Sequence, residues 1–202
     1  LDDLADIGHR AGIAVHLDGA RIFNAAVALG VDAHQLTRSV DSVCFCLSKG
    51  LSAPVGSVLA GSTAFIDRAR KVRRSFGAAM RQAGVIAAPG LVAIRTMIDR
   101  LQDDHDHARY LAQQFVQVPG LRVDLDSVQS NIVNLDVAGL GIDAATFATH
   151  LQREGVRGLP GMGSVVRFVT YRGITRQHVE RAAEAVRATV AAQPWAGSLA
   201  QG

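Results

Sequence analysis

The stretch from Asp41 to Ala60, DSVCFCLSKGLSAPVGSVLA, restricts the fold more than any other part of the chain. An apolar run, Val43 to Leu47, ends at Ser48-Lys49-Gly50; a loop with Pro54 and Gly56 leads to a second run, Val58 to Ala60. Runs this short, bounded by glycine and proline, are strands rather than helices. The loop between them is too short for a parallel crossover, so the second strand returns antiparallel. Lys49 then stands at the mouth of a sheet. Read locally, it is either a solvated loop charge or an amine placed for chemistry.

The preceding segment supplies a context for that lysine. Leu1 to Arg10 has the pattern of an amphipathic helix, with Leu1, Leu4 and Ile7 on one stripe and Gly12 as its stop. Ile13 to Leu17 reads as a strand ended by Asp18-Gly19, and Arg21 to Leu29 as a short helix closed by Gly30. A polar connection with Asp32 and His34 leads to the Val43 strand. Strand, helix, strand is the βαβ pattern, whose expected hand is right.

Beyond the hairpin, Ala64 to Arg74 is a basic helix broken at Gly77-Ala78-Ala79. Gly84 to Phe115 reads as one long helix bent near Pro89-Gly90. Pro119-Gly120 is a turn, and Arg122 to Asp126 and Asn131 to Val137 alternate as strands. Asp143 caps a helix running to Glu154, Val165 to Tyr171 is a strand, and Thr175 caps a last helix to Ala192. The tail from Gln193 reads as frayed. The expected domains are residues 1–100, part of a large α/β domain, and residues 101–202, a connecting helix with a small α+β domain.

Composition excludes several function classes. Half the residues (49%) are hydrophobic, which argues against disorder. With a net charge of +3 and 5% aromatics, and no interleaved basic-aromatic pattern, nucleic acid is not the expected partner. No uncharged stretch reaches spanning length, so no membrane partner is expected. Cys44 and Cys46 share one strand face and are poorly placed for a disulfide; they read as small buried hydrophobes in a reducing cytoplasm. His105 and His107 diverge on a helix and read as a polar helix face, so no metal is expected.

Asp18 ends one strand and Lys49 follows the next, which places both at the carboxyl edge of a largely parallel sheet, where open α/β sheets bind ligands. A structural ion pair is one reading. The other is a pyridoxal phosphate site, in which a lysine forms a Schiff base and a carboxylate pairs with the pyridinium nitrogen.

Four motifs, HLDGARIFNAAVALG, SVCFCLSKGLSAPVGSVLAG, AAMRQAG and VVRFVTY, occur in this order. From about Leu4 to Ala191 the chain resembles the low-specificity L-threonine aldolases, pyridoxal-phosphate enzymes of the aspartate-aminotransferase-like class (fold type I). The resemblance implies an α/β fold: the C-terminal part of the fold type I large domain plus a small α+β C-terminal domain. It implies cleavage of L-threonine or L-allo-threonine to glycine and acetaldehyde. Lys49 would be the Schiff-base lysine and Asp18 the partner of the ring nitrogen. Arg21 and Arg167 would hold the substrate carboxylate, for which the planar guanidinium fork is suited. Arg81 would lie near the cofactor or a dimer contact, with an ordinary interface charge as the alternative. Ser48 would orient Lys49 or touch phosphate, or serve as a turn hydroxyl. His16 would support Asp18 or be a satisfied core histidine. Gln129-Ser130-Asn131 reads as turn chemistry.

The chain departs from the family in having Gly77-Ala78-Ala79 for three glycines, Arg74 for a lysine and Tyr171 for a histidine. Family members also carry a further half-domain ahead of the HLDGAR strand, with the phosphate-binding loop and the ring-stacking histidine. The chain is therefore expected to be the C-terminal part of such an enzyme, and a homodimer or homotetramer with its site at the interface. Two alternatives stand beside this reading. One is a truncated, inactive remnant acting as a folded interaction module; the other is a related lyase or aldolase acting on another β-hydroxy amino acid.

Overall fold

A computed structural model describes residues 1–192 of the 202. The chain forms two compact units, Leu1–Leu101 and a second from Gln102 onward. The expectation for the tail from Gln193 lies outside the described residues.

In the first unit, α1 (Asp2–Arg10) leads to β1 (His16–Asp18), α2 (Ile22–Leu29) and a one-turn α3 (Ala33–Thr37) that follows Asp32. The polar connection expected at Asp32 and His34 is thus partly helical. Then come β2 (Ser42–Cys46), β3 (Ser57–Gly61), α4 (Thr63–Ser75) and α5 (Gly84–Thr96). The sheet order is β1-β2-β3. β1 runs parallel to β2 in the register His16 to Ser42 and Asp18 to Cys44. β3 returns antiparallel to β2, as the short loop requires. Leu47, Leu51, Ala53, Ala93, Met97 and Leu101 form the core, and Phe23 meets Phe45 edge-to-face at 5.3 Å. Such a ring pair contributes about 0.5–1.5 kcal/mol beyond its buried area.

The amphipathic helix expected at the start of the chain forms as α1; its Leu1, Leu4 and Ile7 are exposed, Leu4 by 66%, and the helix buries Ala5. One expectation fails here. The helix expected to run from Gly84 to Phe115 is two helices, interrupted between Thr96 and Leu101. Pro89 lies inside α5, whose helix is continuous across it. The break comes where Met97 and Leu101 turn into the core.

The second unit opens with α6 (Leu101–Phe115), whose first residue closes the first unit. β4 (Ile132–Asp136), α7 (Ala144–Arg153), β5 (Leu159–Pro160), β6 (Val165–Val169) and α8 (Arg176–Ala191) follow. Its antiparallel sheet has the order β4-β6-β5. Phe115, Phe147, Leu135, Leu151 and Val166 are fully buried between sheet and helices. Asp143 and Thr175 cap their helices as expected, and His178 completes a reciprocal cap with Thr175. Arg122 to Asp126 is not a strand: Arg122 makes one bridge to Asp136, and Leu125–Ser127 is a 3-10 turn. The polar side chain of Asp124 accepts from the Asp126 N–H and so competes with strand pairing.

The polar face expected around His105 is likewise inverted in part. Asp104 and His105 are buried, and burial lowers the His105 pKa, favouring the neutral ring. Asn131 lies in the bend that leads into β4, and it is also buried. Its Nδ2 donates to the Thr170 carbonyl at 2.8 Å, and Thr170 Oγ1 donates to the Asp104 carbonyl at 2.6 Å. These bonds tie the start of β4 to the end of β6 and to α6.

Asp136 gives this unit a pH dependence. The Ser164 hydroxyl, 2.6 Å away, and then the Ala138 N–H at 2.9 Å hold its carboxyl below the ordinary value of 3.8. A depressed folded-state pKa contributes stability present above the unfolded value and lost as pH falls through the folded one. Ser164→Ala is expected to destabilise the protein at neutral pH. The gap to wild type should close as pH falls below 3.8. Thermal unfolding from neutrality into strong acid checks this, and a gap independent of pH would contradict it.

Candidate active site

The β1–α2 turn places Asp18 by a close backbone approach. Gly19 N–H donates to the Cys44 carbonyl at 2.8 Å, and a Cβ on Gly19 would lie 3.1 Å from that oxygen and 3.1 Å from Val43 Cγ2. Only glycine lets the turn close against β2 without displacing it. Asp18 is exposed. Its Oδ1 accepts from the Ala20 N–H at 3.1 Å and lies 3.8 Å from Cys44 Sγ. Its Oδ2 makes no hydrogen bond among the described residues. Cys44 is therefore a polar neighbour of Asp18 rather than a buried hydrophobe. Both cysteines are free and half-buried.

Lys49 follows β2 on the same sheet edge, in a turn closed by its own backbone. Ser52 N–H donates to the Lys49 carbonyl and Ala53 N–H to the Leu47 carbonyl, both at 2.9 Å. Ser48 and Lys49 are exposed between buried Leu47 and buried Gly50. Lys49 makes no ion pair among the described residues, so the simple Asp18–Lys49 ion pair is not formed.

Arg21 stands one residue ahead of α2 and is half-buried, with its Nε buried and lacking a hydrogen-bond partner. A buried N–H donor left unpaired is unfavourable, so the group is poised for an acceptor from outside the chain. His16 is exposed and bonds Ser42 Oγ at 2.9 Å, not Asp18, so neither expected role describes it. Arg81 lies exposed in the connection between α4 and α5, beside Gln82 at a φ of +49°. Arg167 is exposed on β6 of the second unit, its Nε 3.3 Å from Asn134 Oδ1. The first unit thus carries Asp18, Arg21, Ser48 and Lys49 in the segments that follow the carboxyl ends of the neighbouring strands β1 and β2. Among the described residues, no group of three or more His, Cys, Asp or Glu could hold a metal ion.

Asn24 escaped sequence reasoning. It is a buried amide on α2 that packs against Gly50, next to Lys49. The signal was one polar residue in the otherwise apolar IFNAAVAL.

The family profile described as beta-eliminating lyase matches residues 1–138. The chain belongs to that family. Within it, the resemblance to the low-specificity threonine aldolases holds. The chain is 41% identical over 179 residues to Low-specificity L-threonine aldolase 1 of Arabidopsis thaliana, covering 88% of this chain and 50% of the relative. It is 38% identical over 180 residues to Low specificity L-threonine aldolase of Escherichia coli K12, covering 89% and 52%. The chain thus spans about half the length of the curated relatives it matches. Among solved structures, a candidate L-allo-threonine aldolase from Listeria monocytogenes superposes with a TM-score of 0.73 at 21% identity. That match covers 93% of this chain and 55% of the other. The likeness establishes for this lyase-family chain the expected fold class, aspartate-aminotransferase-like.

Proposed function

We propose that the chain carries the lysine side of a pyridoxal-phosphate aldolase site, cleaving L-threonine or L-allo-threonine to glycine and acetaldehyde, in the cytoplasm. The observation that carries the proposal is the placement of Asp18 at the end of β1 and of Lys49 just beyond the end of its parallel neighbour β2. The residues present fit the cofactor: a carboxylate with one oxygen unengaged, an exposed lysine without an ion pair, and an arginine with an unpartnered Nε. The names of the plant and bacterial relatives support the substrate class.

Pyridoxal phosphate, when bound, supplies an electron sink for the pair left when a bond at the substrate Cα breaks. Asp18 Oδ2 is assigned to the ring-nitrogen proton; its negative charge keeps that proton in place and so keeps the sink strong. Lys49 Nζ would be the amine that holds the cofactor, and its exposed position would leave it within reach of an incoming amino acid. Arg21 is assigned to the substrate carboxylate. Held there, the carboxylate fixes which Cα bond is presented for cleavage. Arg167 has the same assignment and Ser48 and Arg81 their cofactor assignments, from the resemblance.

The test is addition of pyridoxal phosphate to the purified chain. The proposal expects the visible absorption band of lysine-bound cofactor and glycine release from L-threonine. Neither band nor turnover would overturn it and leave the folded interaction module as the reading. A second reading, β-elimination or action on another β-hydroxy amino acid, is favoured by the family description itself. A substrate panel separates these: β-elimination gives ammonia and a keto acid, whereas another β-hydroxy amino acid gives glycine and an aldehyde other than acetaldehyde.

A homo-oligomer with its site at the interface belongs to the same proposal, with Arg73, Arg74 and Arg81 serving a neighbouring subunit. Phe76, 82% exposed, and Met80, 55% exposed, support it, since both lie beside these arginines. A sedimentation mass above one chain is expected, and a clean monomer would count against it.

A further inference from the structure

Asn24 is 3% exposed and lies within the apolar helix α2. A carboxamide there weakens the helix and is tolerated only where its polar atoms are engaged. It faces the turn that carries Lys49. A Cβ on Gly50 would lie 3.2 Å from Asn24 Oδ1 and 3.6 Å from Nδ2, and 2.7 Å from Leu101 Cδ2. The Gly50 backbone therefore occupies a slot between a buried amide and an apolar side chain. Just beyond, Ser52 has a φ of +59°, in the left-handed region that non-glycine residues adopt only when their surroundings hold them there. Ser52 Oγ donates to the Gly50 carbonyl at 3.3 Å, which joins this strained residue to the same slot.

We propose that Asn24 is a positioning residue: its carboxamide, packed against Gly50, sets the backbone of the Lys49 turn and hence the direction in which Nζ is presented. The inference rests on the assignment of Lys49 given above. Asn24 is buried, so its assigned role is exerted through the turn. A small rotation of the turn moves the end of the long lysine side chain by more than it moves the backbone, so catalysis should register the loss before stability does.

The test compares wild type with Asn24→Ala and Asn24→Asp. Hydrogen exchange in the cofactor-free protein is the first readout. Asn24→Ala is expected to speed exchange at the Ser52 and Ala53 amides while leaving the β2–β3 ladder unchanged. With pyridoxal phosphate, its induced circular dichroism should shift and kcat fall about tenfold to a hundredfold with KM little changed. Asn24→Asp, which keeps the shape and an oxygen toward Gly50, should recover part of each effect. If Asn24→Ala fails to fold, Gly50→Ala crowds the same slot from the other side and should loosen the same two amides. Unchanged exchange at Ser52 and Ala53 in both variants, with an unchanged cofactor signal, would overturn the inference. A wild-type protein without a cofactor band would overturn the proposed function alone, since the exchange comparison needs no cofactor.

Discussion

Lys49→Ala is expected to abolish the visible band of lysine-bound cofactor and to cut threonine cleavage by about 10²- to 10⁴-fold. The side chain is exposed and makes no ion pair among the described residues, so its removal should shift stability by less than about 0.5 kcal/mol. Loss of activity without loss of fold is the signature of a reacting group. Absorption spectra, glycine release and thermal unfolding of the purified variant provide the three readouts. Activity equal to wild type would return Lys49 to the status of a solvated loop charge. Borohydride trapping of bound cofactor, followed by peptide mapping, gives an independent check, because the label should fall on Lys49.

The second large effect is expected at Asp18. Asp18→Asn retains the shape and the bond from the Ala20 N–H, which lies 3.1 Å from Oδ1, but removes the negative charge. In the proposed role, the Asp18 charge would hold the proton on the cofactor's ring nitrogen, and removing it would weaken the electron sink that the cofactor would supply. A fall in kcat of about 10²- to 10³-fold is expected, with the cofactor still attached to Lys49. Single-turnover kinetics with L-threonine separate this loss from a failure to bind. A kcat within about threefold of wild type would remove Asp18 from the proposed role. Cys44 provides a gentler comparison. Its thiol lies 3.8 Å from Asp18 Oδ1, so Cys44→Ala should change kcat far less than Asp18→Asn.

Local pattern was enough to find β2, β3 and their antiparallel return, because a short loop leaves the chain few alternatives. It was enough to find Asp143 and Thr175 as helix caps, because a capping side chain acts within one turn of itself. The motif around Asp18 and Lys49 was legible for a similar reason: each residue sits at the end of a strand whose apolar run is short and bounded.

What the amino-acid order could not express was the identity of the neighbours across space. The stripe of Leu1, Leu4 and Ile7 has a correct helical period, yet α1 turns it outward, since periodicity names a face and not what covers it. Leu101 and Met97 break the long helix because their core lies off its axis. Asn131 and Asp104 are buried by Thr170, which comes from a distant part of the chain. The sequence alone determined that a lysine follows one strand and a carboxylate ends another. Only the tertiary structure decided that the two strands are hydrogen-bonded neighbours, that Lys49 is exposed, and that Asn24 fills the slot against Gly50. Those outcomes depend on which backbones can approach within van der Waals contact, and that is a property of the packed chain rather than of any segment in it.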